Sequence, residues 1–219
     1  MLHPDFLEFL KDLTNNNQRD WFHANKKRYE KTLKEPFKEL VQTLIKGTQK
    51  FDPTVQIEPK DAIFRINRDI RFSADKSPYK THVSALISKG GRRDKTLPGY
   101  YLQIGQGSLM IGGGAYFLEK EMLQKVRTHI LQNPSVIGKI EKSKAFTEKF
   151  GEIKGDKNKR YDKSFMAIAD QQPLIANKQF YFMAELDPKL VLEKDFVKMV
   201  LSYFKTGKRL NDFIIEALA

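Results

Sequence analysis

The chain has no cysteine. Disulfides and thiolate metal sites are therefore excluded, and the absence fits a reducing compartment. Its four histidines, His3, His23, His82 and His129, are scattered, with no HxxxH or HExxH spacing. A histidine metal centre is not expected, and no residue is singled out as a metal ligand. Uninterrupted apolar runs are only a few residues long, so no span is expected to cross a bilayer and no membrane partner is expected. The N-terminus, MLHPDFLEFLKDL, carries acids early and lacks a signal peptide's basic start, apolar centre and small-residue cleavage site. A cytoplasmic location is the expectation. No internal repeat and no stretch rich in Pro, Gly or Ser divides the chain, so residues 1–219 are expected to form one domain.

What is present is charge, and most of it is positive. The formal net charge is +12 over 219 residues, with 40% hydrophobic content. That balance reads as globular rather than disordered. Between Lys60 and Lys95 stand ten basic and four acidic residues, so half the surplus sits in a sixth of the chain. Residues 139–163 hold nine basic and five acidic residues. Such fields attract phosphate-bearing partners, and they also keep a protein dispersed.

Apolar spacing predicts helices over residues 4–13 and 19–34, with a new helix opened by Pro36 and running to about 51. Strands are expected over residues 55–58, 62–72, 82–88, 99–105, 109–111 and 179–187. Helices are expected over 118–132, 134–138, 142–150, 195–205 and 210–218. Gly112, Gly113 and Gly114 follow a strand and precede a helix, which resembles a phosphate loop. They lack the GxxxxGK[ST] and GxGxxG spacings, so a bulge or tight corner is the plainer expectation. The order of elements argues an α+β fold, mainly an antiparallel sheet of about five strands with an N-terminal helical layer and C-terminal helices.

The most specific stretch is IFRINRDIRFSADKSPYK, residues 63–80. Read as a strand, it places Phe64, Ile66, Ile70 and Phe72 on one face and Arg65, Asn67, Asp69 and Arg71 on the other. Arg68 falls on the apolar face. A buried guanidinium costs several kcal/mol unless it is paired, so Arg68 needs a carboxylate, with Asp75, Asp61 or a distant glutamate as candidates, or its face lines a cavity. Arginine forks match planar and tetrahedral oxyanions. The candidate ligand-binding set is therefore Arg65, Arg68, Asp69, Arg71, Asp75, Lys76, Tyr79 and Lys80, with Tyr101 from a later strand. Asp69 is a candidate general base, and Lys76 and Tyr79 are candidate proton donors or acceptors. Nothing fixes a nucleophile, a reaction or a cofactor.

The pattern Arg65-x-x-Arg68-Asp69-x-Arg71-Phe72-x-x-x-Asp75-Lys76-x-x-Tyr79 resembles the signature of DUF2461, a family of bacterial proteins. The similarity extends to Asn16-Asn17, Trp21-Phe22, Tyr29, Pro78-Tyr79-Lys80, Pro98-Gly99-Tyr100-Tyr101, the glycine triplet and the helix holding Arg127. It spans roughly residues 5–130 and is looser from Lys139 onward. The resemblance implies a whole-chain domain and carries no established activity. A signature of Arg, Asp, Lys and Tyr is more typical of a site than of packing.

Three functions follow as expectations. The first is binding of an anionic, phosphorylated small molecule on the charged stretch, with or without catalysis. The second is nucleic-acid binding by 89–93 and the basic loop 154–163, with Tyr100, Tyr101 or Tyr161 stacking on bases. The third is a partner-binding module whose signature is a structural salt-bridge network.

Overall fold

A computed structural model describes residues 2–158, 165 and 171–219. The fold is α+β, built on a four-stranded antiparallel sheet in the order β1-β2-β3-β4, rather than about five strands. The strands are β1 (His82–Ile87), β2 (Gly99–Gly105), β3 (Leu109–Ala115) and β4 (Phe180–Leu186). The helices are α1 (Asp5–Asn15), α2 (Arg19–Ala24), α3 (Lys26–Arg28), α4 (Glu35–Gln49), α5 (Pro59–Ala62), α6 (Lys120–Gln132), α7 (Pro134–Glu141), α8 (Lys144–Phe150) and α9 (Phe196–Leu218). Among the described residues no helix is long and apolar enough to cross a membrane.

Several sequence expectations need correction. Residues 55–58 form no strand. Pro36 does not open a separate helix. A π-helical segment, Tyr29–Lys34, joins α3 to α4 without a break. Its wider turns end where Pro36 has no N–H to give. The C-terminal helix is continuous through Gly207, whose missing side chain leaves room for the Phe182 ring. The glycine triplet is neither corner nor loop: it lies inside β3, paired with β2 and β4. A Cβ on Gly113 would lie 2.2 Å from the Gly99 carbonyl oxygen, so the strands could not approach this closely with a larger residue.

The two faces of the sheet differ. Val83, Ala85, Ile87, Tyr100, Leu102, Ile104, Leu109, Ile111, Phe180, Phe182 and Ala184 share one face and are buried. They join two apolar clusters that also take the buried apolar side chains of α1, α2 and α4 through α9. The other face carries the row Leu86, Tyr101, Gly112, Met183 and the row Ser84, Gln103, Met110, Glu185. Leu86, Tyr101, Met110 and Met183 are half-buried and pack into neither cluster. Every helix with a buried apolar side chain sends it to the first face, so among the described residues the second is bare of helices, although Ser84 on it is buried and burial raises the pKa of the Tyr101 phenol.

Candidate anion-binding cleft

The segment 62–72 is not a strand of the sheet. Residues 63–80 form an irregular hairpin, closed by a single bridge between Asn67 and Tyr79 and joined to the free edge of β1 by one between Ile63 and Ala85. The Phe64 N–H donates to the Ser84 carbonyl at 2.9 Å, the Arg68 N–H to Pro78 at 2.9 Å and the Lys80 N–H to Ile66 at 2.8 Å. Pro78 supplies an acceptor and no donor, which prevents a regular ladder. The expected alternation persists as far as Ile70 and then fails: Phe72 is 96% exposed at the turn.

Arg68 points inward and finds its carboxylate in Asp75, with Ser73 Oγ at 3.3 Å from its second nitrogen. Asp75 also accepts from the Ser77 N–H at 2.8 Å and the Ser77 hydroxyl at 2.6 Å. Those Ser77 bonds, then Arg68, hold the Asp75 carboxyl well below the usual range. Tyr79 is buried, its ring stacked on Phe22 with centroids 4.0 Å apart. Asn17, from the turn after α1, clamps the Tyr79 backbone from both sides. Its Nδ2 donates to the Tyr79 carbonyl at 2.9 Å, and its Oδ1 accepts from the Tyr79 N–H at 3.1 Å.

These groups enclose a cleft of about 390 Å³. Arg68, Asp75, Tyr79 and Lys80 line it, joined by Thr14, Asn17, Ser77, Thr81 and His82. The Lys80 ammonium sits 5.3 Å above the Phe64 ring. Burial, and then the nearby Arg65, lower its pKa from the ordinary lysine value. Burial, followed by Lys80, also lowers that of His82. Among the described residues no carboxylate lies within ion-pairing distance of Lys80.

The other expected site residues stand outside the cleft. Asp69 and Arg71 form an exposed fork, with Nε to Oδ1 at 3.0 Å and Nη2 to Oδ2 at 2.7 Å. That hydrogen bonding brings the Asp69 carboxyl down to about 2. The Lys76 ammonium donates to the Ile70 carbonyl at 3.0 Å. Arg65 is exposed. Tyr101 lies on the bare sheet face, its hydroxyl donating to Gln103 Oε1 at 2.8 Å. Asp69 and Lys76, two of the three catalytic candidates, are thus engaged away from the cleft, and Tyr79 alone reaches it.

Nothing in the sequence pattern singles out Thr14, Asn17, Ser77, Thr81 or His82 as lining a cleft. The nearest to a signal is that His82 stands two positions beyond Lys80. The elements proposed for nucleic-acid contact fare unevenly. Arg92 donates to the Lys60 carbonyl, and Tyr100 is buried with its hydroxyl on Asp52 at 2.8 Å, so Tyr100 cannot stack on a base. Tyr161 and residues 159–163 of the basic loop lie outside the described residues.

A larger hollow, about 540 Å³, lies between α1 and the π-helical segment. Its Arg28 is already shared between Asp5 at 2.6 Å and Asp12 at 2.7 Å, and its Lys27 and Lys31 are exposed on the helix surface. Size alone therefore does not make it the better site. Among the described residues no three of His, Asp and Glu converge on a point that could hold a metal.

Neither a curated protein nor a solved structure matches the chain. The model of a family described as a conserved hypothetical protein, DUF2461, matches residues 5–213, nearly the whole length, and the chain belongs to that family.

Proposed function

We propose that the protein binds a small anion, phosphate-bearing or carboxylate, in the cleft between the end of α1 and the 63–80 hairpin. The observation that carries this reading is Lys80. Its half-buried ammonium faces a concave volume, has no carboxylate partner among the described residues, and carries a lowered pKa. Partly burying a cation costs free energy that an anion in the cleft would offset. Asp75 neutralises Arg68 and the His82 ring is held neutral, so Lys80 carries the cleft's unpaired charge, while Thr14, Asn17, Ser77 and Thr81 bring hydroxyl and amide groups to the same wall.

The Arg68–Asp75–Ser77 closure also supports the reading of the signature as a structural network. One experiment separates the two. Thermal unfolding is followed with inorganic phosphate, sugar phosphates and nucleotides, using the wild type, Lys80→Met, and Asp69→Asn as a control outside the cleft. Anion binding predicts that a phosphorylated compound at a hundredfold excess over Kd raises Tm by about 5–10 °C in the wild type and Asp69→Asn, and not in Lys80→Met. A shift that survives in Lys80→Met, or no shift with any anion, removes the reading.

A further inference from the structure

We propose that the ligand is a nucleoside phosphate, its phosphate in the cleft and its base on the bare face of the sheet. This rests on the anion reading above and extends it along β1. His82 lines the cleft and, by its pairing with Gly105, also stands on the bare face. Gly105 has no side chain to wall off the cleft from that face. The next residues on the same side are Ser84 opposite Gln103, then Leu86 opposite Tyr101. With about 3.3 Å per residue and about 4.8 Å between strands, Gln103 lies roughly 8 Å from His82 and Tyr101 roughly 14 Å. A ribose bridges the shorter distance, which sets a base over Gln103 and against the near edge of Tyr101.

The chemistry of that face suits a flat heterocycle. Tyr101, Met110 and Met183 offer an aromatic ring and two polarisable thioethers, half-buried and packed into neither core cluster. Met183 is free to lie over Gly112, its sulfur 2.7 Å from where a Cβ would be. Gln103 supplies the polar edge. Its Oε1 accepts from Tyr101 at 2.8 Å, while among the described residues its Nε2 has only the Met110 sulfur at 3.3 Å. A thioether is a weak acceptor, so the amide keeps donor capacity for a ring nitrogen or carbonyl of a base. A sugar phosphate would fill the cleft and leave this surface uncovered, whereas a nucleotide covers both.

The test is calorimetric titration with inorganic phosphate, ribose 5-phosphate and the four common ribonucleoside 5′-monophosphates, on wild type, Gln103→Leu, Tyr101→Ala and Lys80→Met. At least one nucleotide is expected to bind about tenfold or more tightly than ribose 5-phosphate, on the order of the gain from one base contact with an aromatic side chain. That advantage disappears in Gln103→Leu and in Tyr101→Ala, and Lys80→Met loses nucleotide and ribose 5-phosphate together. Circular dichroism of each variant identifies any that fails to fold, and Gln103→Leu preserves side-chain bulk should Tyr101→Ala do so. Equal affinity for ribose 5-phosphate and every nucleotide overturns the base assignment and leaves the anion site standing. No binding by any phosphate compound removes both. A dimer in light scattering that Tyr101→Ala dissolves assigns the bare face to a second copy of the chain and also overturns the proposal.

Discussion

Phe182 and Met183 are neighbours in β4, yet one is sealed and the other is not. Phe182 is fully buried between Phe146 and Phe150, with Gly207 of α9 against its ring. Met183 stands half-open on the far side of the same strand. The same alternation supplies both faces, and only the helices make them different. One face stores the free energy of folding. The other carries half-buried apolar and polar groups that contribute little to stability, provided the first face carries the load.

That division makes quantitative predictions. Phe182→Ala should destabilise by about 3–5 kcal/mol in urea unfolding, against about 1 kcal/mol or less for Met183→Ala. Similar losses at the two positions would mean that the bare face is covered after all. The paired tyrosines sharpen the contrast. Tyr100→Phe should cost about 1–3 kcal/mol, because it deprives the buried Asp52 carboxylate of a hydroxyl donor. Tyr101→Phe, on the open face, should cost less than about 1 kcal/mol. Burial, then Asp52, raises the Tyr100 pKa above its ordinary 10.0. Its contribution is therefore complete below pH 10 and declines above it, as the unfolded phenol ionises and the folded one keeps its proton. Alkaline unfolding should be less steep in Tyr100→Phe.

His82 lies where the two faces' roles meet, at the mouth of the cleft. Its pKa is lowered below 6.5, so the fold prefers the neutral ring, and stability present above pH 6.5 is lost as pH falls through the lowered value. An anion held in the cleft would reverse that preference. Sulfate, whose own charge does not change in this range, should bind more tightly at about pH 6 than at about pH 7.5, with uptake of a proton, and His82→Asn should flatten the profile. The smallest effect belongs to the exposed fork. Its contribution is present above pH 3.8 and lost as Asp69 protonates near pH 2. At neutral pH Asp69→Asn should move Tm by at most about 2 °C.

The sealed face was the legible one. Phe6, Phe9, Leu10 and Leu13 in α1, and Phe180, Phe182 and Ala184 in β4, advertise their burial by spacing alone. The hairpin was legible only in part. Arg68 declared its need for a carboxylate, and Asp75 was among the candidates because it lies a short loop away. The regular strand expected there did not form, because alternation reports which side chains turn inward and says nothing of whether a partner strand is continuous. Pro78 and the two isolated bridges decided that. The bonds of Asn17 to Tyr79 stayed hidden for a similar reason: the two are distant in sequence, and local chemistry explains only local contacts. Gly112 and Gly113 looked like a corner because glycine marks both turns and close approach, and only the pairing of β3 with both neighbours distinguishes them.

The clamp of Asn17 on Tyr79 also has a kinetic meaning. A single carboxamide stands in for a neighbouring strand, giving and receiving one backbone hydrogen bond across 62 residues of sequence. Loop closure over that distance follows local helix formation, so the clamp forms only when the N-terminal helices meet the completed hairpin. The cleft is thus among the last features to appear during folding, and a ligand that needs it selects chains that have finished.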